Sequence, residues 1–389
     1  MAGTSPAMTE CCPFDDELFS VAKYRMPSRL IATYHIRCDA GAADERARAI
    51  AVEQSVEMPL AAIDDEYVRS EIVGRVESVR DLQDGRFEAR IGLAMKTVGS
   101  DAGQLINMLF GNTSLHEDVF LSDIELPDDL AGTFGGPRHG LEELRRRVGA
   151  GERALTCSAL KPQGLPPAGL AELAQQFARG GIDYIKDDHG LADQSYSPFE
   201  ARVAAITRAL QSVGAGNRSC YVPSLSGDLD GMRRQIAVAA DAGIDRVMVA
   251  PMIMGLSNFH RLVSEHPAIA FLAHPALAGL RVSPVALLGK LFRLLGADAV
   301  IFPNHGGRFG YSADTCRGLA NALREDRQAL KPSVPVPAGG MARERVREML
   351  DFYGADSMLL IGGALLETRE RLVEATAAFV AEVLRHDYG

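Results

Sequence analysis

The sequence predicts an α/β protein: a (β/α)8, or TIM, barrel preceded by an α+β, ferredoxin-like N-terminal domain. Three observations carry this expectation. Eight short apolar runs of β character recur between residues 154 and 363, and amphipathic helical segments separate them. A cluster of ionisable residues, Lys186, Asp187, Asp188 and His189, closes the second run. Parallel strands alternating with helices close into a barrel whose reactive groups gather at the strands' C-terminal ends.

Residues 1–28 read as an irregular tail, with Cys11 and Cys12 incidental to the fold. Residues 29–135 form the α+β domain. SRLIATYHIRC alternates as a strand, and AADERARAIAVEQSV has helical spacing with capping acidic residues ahead of it. EIVGRVESVRDL and RFEARIGLAM make a hairpin closed by QDG, and QLINMLFGN returns to helix. The Gly/Pro-bearing link GTFGGPRHG leads into a barrel spanning 136–389.

The eight barrel strands are expected in ALTCSAL (154–160), DYIKDD (183–188), SCYVPSL (219–225), RVMVAPMI (246–253), AIAFLAHPAL (268–277), ADAVIFP (297–303), SVPVPAGG (333–340) and DSMLLIGG (356–363). Helical patterns with charged faces lie between them, among them GLAELAQQFARGG, MRRQIAVAADAGI, RERVREMLDFYGA and TRERLVEATAAFVAEVLR.

Composition suits an enzyme of the cytoplasm. The 389 residues exceed one ordinary core and match a barrel of roughly 250 residues plus a smaller domain. With 41 basic and 51 acidic side chains the net charge is -10, so no basic patch points to nucleic acid. The apolar runs are too short for a membrane span, and the start lacks a basic segment followed by an apolar one. The six cysteines show no zinc-like spacing; Cys157, Cys220 and Cys38 read as small apolar strand residues in a reducing compartment.

The end of the second strand is the centre of the chemistry. Alternate strand residues share a face, so Lys186 and Asp188 point one way, Asp187 points the other, and His189 turns back from the loop. Three ligands or acid/base groups converge there; the plainer alternative is an ion pair between Lys186 and an aspartate. Asp193 and Gln194 are expected to pin the following loop. Paired glycines, Gly339-Gly340 and Gly362-Gly363, end strands seven and eight, where main-chain N–H groups can approach a phosphate without a Cβ in the way. NHGGRFGY (304–311) has the glycines of a lid carrying Asn304, His305 and Arg308. His260, His266 and His386 read as surface residues, and the charged runs at 141–147 and 341–349 as solvated helix faces.

Together, the KP ending strand one, GGxDxxKDD ending strand two and the double glycines resemble the Rubisco superfamily over about residues 30 to 370. The resemblance implies that Lys186 takes up CO2 as a carbamate and binds Mg2+ with Asp188. It implies that Lys161 handles protons and that His274 faces the substrate. Glu53 and Asn112 would complete a neighbouring subunit's site, which implies a homodimer with shared active sites.

The departures separate this chain from carboxylases. Gln163 stands where carboxylating members have a second lysine, His189 replaces the glutamate ligand, and Arg308 replaces the lysine of the loop after strand six. The pattern resembles the form IV, or Rubisco-like, proteins. His189 offers nitrogen and removes one negative charge, so Mn2+ is an alternative to Mg2+. The glycine end keeps a phosphate site with Gly339, Gly340, Gly362 and Gly363. At the far end the family's arginine, histidine and serine correspond to Pro275, Ile301 and Ala338, an apolar wall that would penalise a second phosphate by several kcal/mol.

A methylthio group fits that wall. The expected reaction is metal-assisted enolisation and isomerisation of 5-methylthioribulose 1-phosphate or a related methylthioadenosine-salvage intermediate, with Lys161 as acid/base and the carbamate and His274 as rivals. The alternatives are decarboxylation of a 3-oxo sugar acid phosphate of the 3-oxo-isoapionate 4-phosphate type, with Arg308 holding the carboxylate; a sugar-phosphate-binding barrel without turnover; and an unrelated barrel with a Schiff base on Lys186.

Overall fold

The structure, a computed structural model, describes residues 29–327 and 330–388, so Cys11, Cys12 and the first 28 residues lie outside it. Four strands, β1 (Arg29–Arg37), β2 (Arg75–Gln83), β3 (Arg86–Ala94) and β4 (Val119–Glu125), form an antiparallel sheet in the order β2-β3-β1-β4. With the helices Ala43–Glu53 and Ala102–Phe110 in the two crossovers, this is the β-α-β-β-α-β pattern of a ferredoxin-like unit. Alternation decides the faces: Leu30, Ala32, Tyr34 and Ile36 of β1 are all buried, and Tyr34 donates its hydroxyl to Leu109 O at 2.6 Å. The QDG turn forms as read, with Gln83, Asp84 and Gly85 all at positive φ.

One local expectation fails. The helix Ala43–Glu53 starts from Ala42 with no side-chain cap, and its acids Asp44 and Glu45 lie inside the first turn, where they meet the positive end of the helix dipole instead. Side-chain capping appears on the next helix, where Asp101 accepts from Gly103 N at 2.7 Å.

The eight barrel strands follow as β5 (Leu155–Leu160), β6 (Tyr184–Asp187), β7 (Cys220–Val222), β8 (Arg246–Val249), β9 (Ala270–Ala273), β10 (Ala299–Pro303), β11 (Val334–Ala338) and β12 (Met358–Leu360). They form two parallel ladders, β12-β5-β6-β7 and β8-β9-β10-β11. A bridge at Ser224 and Met248 joins the ladders on one side, and β11 and β12 lie side by side on the other. β8 stops at Val249, earlier than its apolar run suggested, because Pro251 opens a short helix through Met254.

Inside the barrel, Cys157, Tyr184, Val222, Met248, Leu272, Ile301, Val336 and Leu360 make one apolar cluster. The helix Gly140–Val148 plugs its floor with Leu141, Leu144 and Val148, and Leu144 O accepts from Tyr184 OH at 2.8 Å. Outward residues pack instead on the helix layer. Phe271 and Phe259 meet there edge to face at 6.2 Å, and truncating either to alanine would cost about 3–5 kcal/mol.

The N-terminal sheet is hydrogen-bonded to the barrel. Leu121 N donates to Arg281 O at 3.0 Å and Ser283 N donates to Leu121 O at 2.8 Å, so the loop after β9 continues the β4 edge. Asp298 fastens the linker: its Oδ1 accepts from His139 N at 2.7 Å and Gly140 N at 2.8 Å, and its Oδ2 from Phe271 N at 2.9 Å. No helix among the described residues is long and apolar enough to cross a membrane.

Candidate active site

Strand pleating turns Tyr184, Lys186 and Asp188 toward the barrel axis and Ile185 and Asp187 toward the helices. Lys186 is buried, 4 % exposed, and donates to the main-chain carbonyl of Asp187 at 2.8 Å. Burial pushes its amine below the usual lysine range, with nearby Lys161 adding to the shift and Cys157 and Asp188 opposing it. The ion pair at this centre belongs to a different lysine: Lys161, just past β5, contacts the Asp188 carboxylate.

Asp188 is the hub. Its Oδ1 meets His189 Nδ1 at 2.9 Å and accepts from Gly190 N at 3.1 Å. Burial pushes this carboxyl up, but the hydrogen bonds from His189, Lys161 and Gly190 outweigh it and hold the group well below the usual carboxylate range. His189 stacks on His274, ring centroids 4.3 Å apart with 8° between planes. His274, on the loop after β9, accepts from Ala276 N at Nδ1, 3.1 Å away. Burial, helped by the neighbouring Lys186 and His189, pulls its imidazole down to about 2, so the ring is neutral. With Nδ1 accepting, its proton sits on Nε2. Gln163 rests on the same loop: a Cβ at Gly190 would stand 1.6 Å from its Nε2.

The other expected residues fall in three places. Gly339 and Gly340, φ +80° and +82°, follow β11, and Gly362 and Gly363 follow β12. Nothing stands within 4 Å of where a Cβ would sit on Gly362 or Gly363, whereas Gly340 is covered by the backbone of Gly307 and Arg308. Arg308 itself is exposed, its guanidinium 5.0 Å above the Phe309 ring. On the N-terminal domain, Asn112 Nδ2 donates to Glu53 Oε1 at 2.9 Å and to Glu57 Oε1 at 3.0 Å, an exposed cluster of its own.

Several secondary readings change. Asn304 is fully buried and accepts from Tyr353 OH at 2.7 Å, and His305 packs on Phe352 at 4.5 Å, so both anchor the base of the loop rather than ride on a lid. His260 is tucked against Phe134 and His386 pairs with Asp351 at 3.4 Å; neither is a free surface residue. In the charged run at 141–147, Arg147 is 8 % exposed and bridges Glu143 and Asp245. Asp193 and Gln194 do pin the loop after β6, through Phe199 N at 2.7 Å and Gly190 O at 2.7 Å.

Among the described residues, no three His, Cys, Asp or Glu side chains are grouped to hold a cation. Asp188 and His189 supply two donors, and Lys186 becomes a third only as an anion. Its surroundings fit that change. A buried ammonium has three N–H donors, yet the amine makes one hydrogen bond among the described residues and no ion pair within 4.0 Å. A carbamate nitrogen has one N–H.

A barrel with a lysine, an aspartate and a histidine at the mouth of its second strand, and glycine turns after its seventh and eighth, has the parts of an isomerase or enolase. The chain belongs to the family of the ribulose bisphosphate carboxylase large chain, catalytic domain, which matches residues 140–369, and within it to the Rubisco-like enzymes rather than the carboxylases. It is 58% identical over 362 residues to a 5-methylthioribulose-1-phosphate isomerase of Rhodospirillum rubrum, covering 92% of this chain and 97% of that one. It is 32% identical to a 2,3-diketo-5-methylthiopentyl-1-phosphate enolase of Geobacillus kaustophilus, over 82% and 80% of the two chains. The solved structure of a Rubisco-like protein from Rhodopseudomonas palustris superposes with a TM-score of 0.86 at 52% identity, over 92% of this chain and 98% of that one.

Proposed function

We propose that the protein isomerises 5-methylthioribulose 1-phosphate, or a close methylthio relative, through an enediolate. The observation that carries this is the contrast between the two ends of the slot. Open glycine backbone at Gly362 and Gly363 offers N–H groups to one phosphate. At the positions where the family resemblance puts the second phosphate, Ile301 belongs to the barrel's apolar cluster and Ala338 packs against it, so a thioether is accommodated and a second phosphate is not. The activity named for the Rhodospirillum rubrum relative has this substrate, which supports the reading.

Lys186 as carbamate, Asp188 and His189 would hold Mg2+, or Mn2+ given the nitrogen donor. Bound there, the cation supplies Lewis-acid polarisation of the ketone. Lys161, paired with Asp188, serves as a proton donor to the developing enediolate. His274, neutral with its proton on Nε2, donates a hydrogen bond rather than removing a proton. Lys186, if carbamylated, would be the base for the carbon-bound proton. Glu53 and Asn112, exposed and joined to each other, suit completion of a second copy's site in a homodimer.

The test is to incubate the holoenzyme with Mg2+, CO2 and 5-methylthioribulose 1-phosphate in D2O and follow carbon and phosphorus NMR. A deuterated isomer is expected. Release of CO2 from a 3-oxo sugar acid phosphate, with no isomerisation, would replace this reading by the decarboxylase.

A further inference from the structure

We infer that Asp187, which points away from the reaction, is the positioning residue of the cation site, acting through the main-chain carbonyl that receives Lys186. The inference rests on the carbamate proposed for Lys186.

Asp187 and Arg202 are both fully buried on the outer wall of the barrel, between β6 and the helix Phe199–Gln211. One carboxylate takes three donors: Tyr221 OH at 2.8 Å on Oδ1, and Ser224 N at 3.0 Å and Arg202 Nε at 3.1 Å on Oδ2. Arg202 Nη1 is tied in turn to Ser197 O at 2.6 Å. A buried ion pair is a poor way to glue a strand to a helix, since apolar residues of similar volume serve as well or better. Outward strand residues such as Ile185, Phe271 and Phe302 are apolar, and the outward polar residues Thr156 and Ser158 of β5 carry no charge.

What the network provides is fixity. Asp187 lies between Lys186 and Asp188 in the chain, so its backbone sets the direction of both. Its carbonyl accepts from Lys186 Nζ at 2.8 Å. When the neutral amine attacks CO2, an N–C bond forms and one proton is released, and the nitrogen keeps a single N–H. That N–H retains the same acceptor, so the carbonyl of Asp187 orients the carbamate about the Nζ–C axis, and the three donors on the side chain keep that carbonyl still. Altering outer groups of this kind costs about 10–100-fold in metal affinity or activity.

The experiment uses the full chain with 13CO2 and Mg2+. Three quantities are read: the carbamate resonance by 13C NMR, the Mg2+ activation constant at saturating CO2, and KM of the activated enzyme. Asp187→Asn keeps the shape but removes the charge; it is expected to raise the activation constant about tenfold or more and weaken the carbamate signal, with KM unchanged. Tyr221→Phe removes one donor and is expected to shift the same constant several-fold in the same direction. Wild-type activation constants in both variants, or KM rising in step with them, overturn the inference. Should Asp187→Asn fail to fold, Tyr221→Phe decides alone. A wild-type protein that takes up no label and ignores CO2 removes the carbamate reading itself, a result distinct from normal carbamylation in wild type and variants alike.

Discussion

His189 and His274 lie face to face, 4.3 Å between centroids and 8° between planes, with their Nδ1 atoms engaged in opposite senses. His189 Nδ1 faces a carboxylate oxygen of Asp188, so it carries the proton and its Nε2 presents a lone pair. His274 Nδ1 accepts from Ala276 N, so its Nε2 presents an N–H. One ring is fitted to ligate and the other to donate.

This division of labour predicts an asymmetry among substitutions of His274. Glutamine supplies an N–H and should keep kcat within about 100-fold of wild type, while leucine should lose about 100-fold more. Equal losses in steady-state kinetics of the two variants would remove the donor role.

The neutral state of His274 also predicts a pH dependence of stability. The unfolded chain protonates this imidazole near 6.5, whereas the folded one does so only at about 2. Below 6.5 the unfolded state therefore binds the extra proton, and stability falls as pH falls, by about 1.4 kcal/mol per unit. His274→Gln does not titrate. In urea unfolding with chelator present, it should lose roughly 2 kcal/mol less than wild type between about pH 6.5 and 5. Parallel stability–pH curves would contradict the buried, neutral ring.

Lys186 predicts a trade of activity for stability. A buried amine with one hydrogen bond and, among the described residues, no ion pair within 4.0 Å is an expensive group to fold around. Lys186→Met should abolish CO2 activation and lower kcat at least 100-fold, yet stabilise the apo protein by about 1–3 kcal/mol in thermal or denaturant unfolding. A destabilised Lys186→Met protein would mean that the amine has partners that strengthen the fold.

The two glycine pairs should answer differently to alanine. Gly362 has φ -113° and open space around it, so Gly362→Ala should fold normally and raise KM about 10-fold or more by crowding the phosphate. Gly340 has φ +82° and a Cβ there would stand 2.9 Å from Gly307 Cα, so Gly340→Ala should cost about 1–2 kcal/mol and displace the loop carrying Arg308. KM and melting temperature for both variants separate these outcomes.

The strands were legible because each is a short apolar run bounded by turn chemistry, and the inward set Lys186 and Asp188 followed from a period of two. Partners across the barrel were not. Nothing in the spacing says that Lys161, rather than Lys186, meets Asp188, because that pairing depends on how two strand ends lean together. Arg202 was equally hidden: it sits in an ordinary helical pattern, and only the packed wall shows its guanidinium beside Asp187. Tyr221 offered one signal, a polar tip on an outward position of β7 next to the strand bearing Asp187. Arg293 gave none, yet it is buried and bonded to the carbonyls of Ala322, Glu325, Leu330 and Lys331.

The shared rung between Leu121 and the segment Arg281 to Ser283 couples two movements that a linker would leave independent. His274 begins the loop that ends on this rung, seven residues before Arg281. The imidazole pair and the edge of the small sheet are therefore tethered through one short stretch of backbone, so a substitution that breaks the bridge at Val282 would free the His274 loop at its far end.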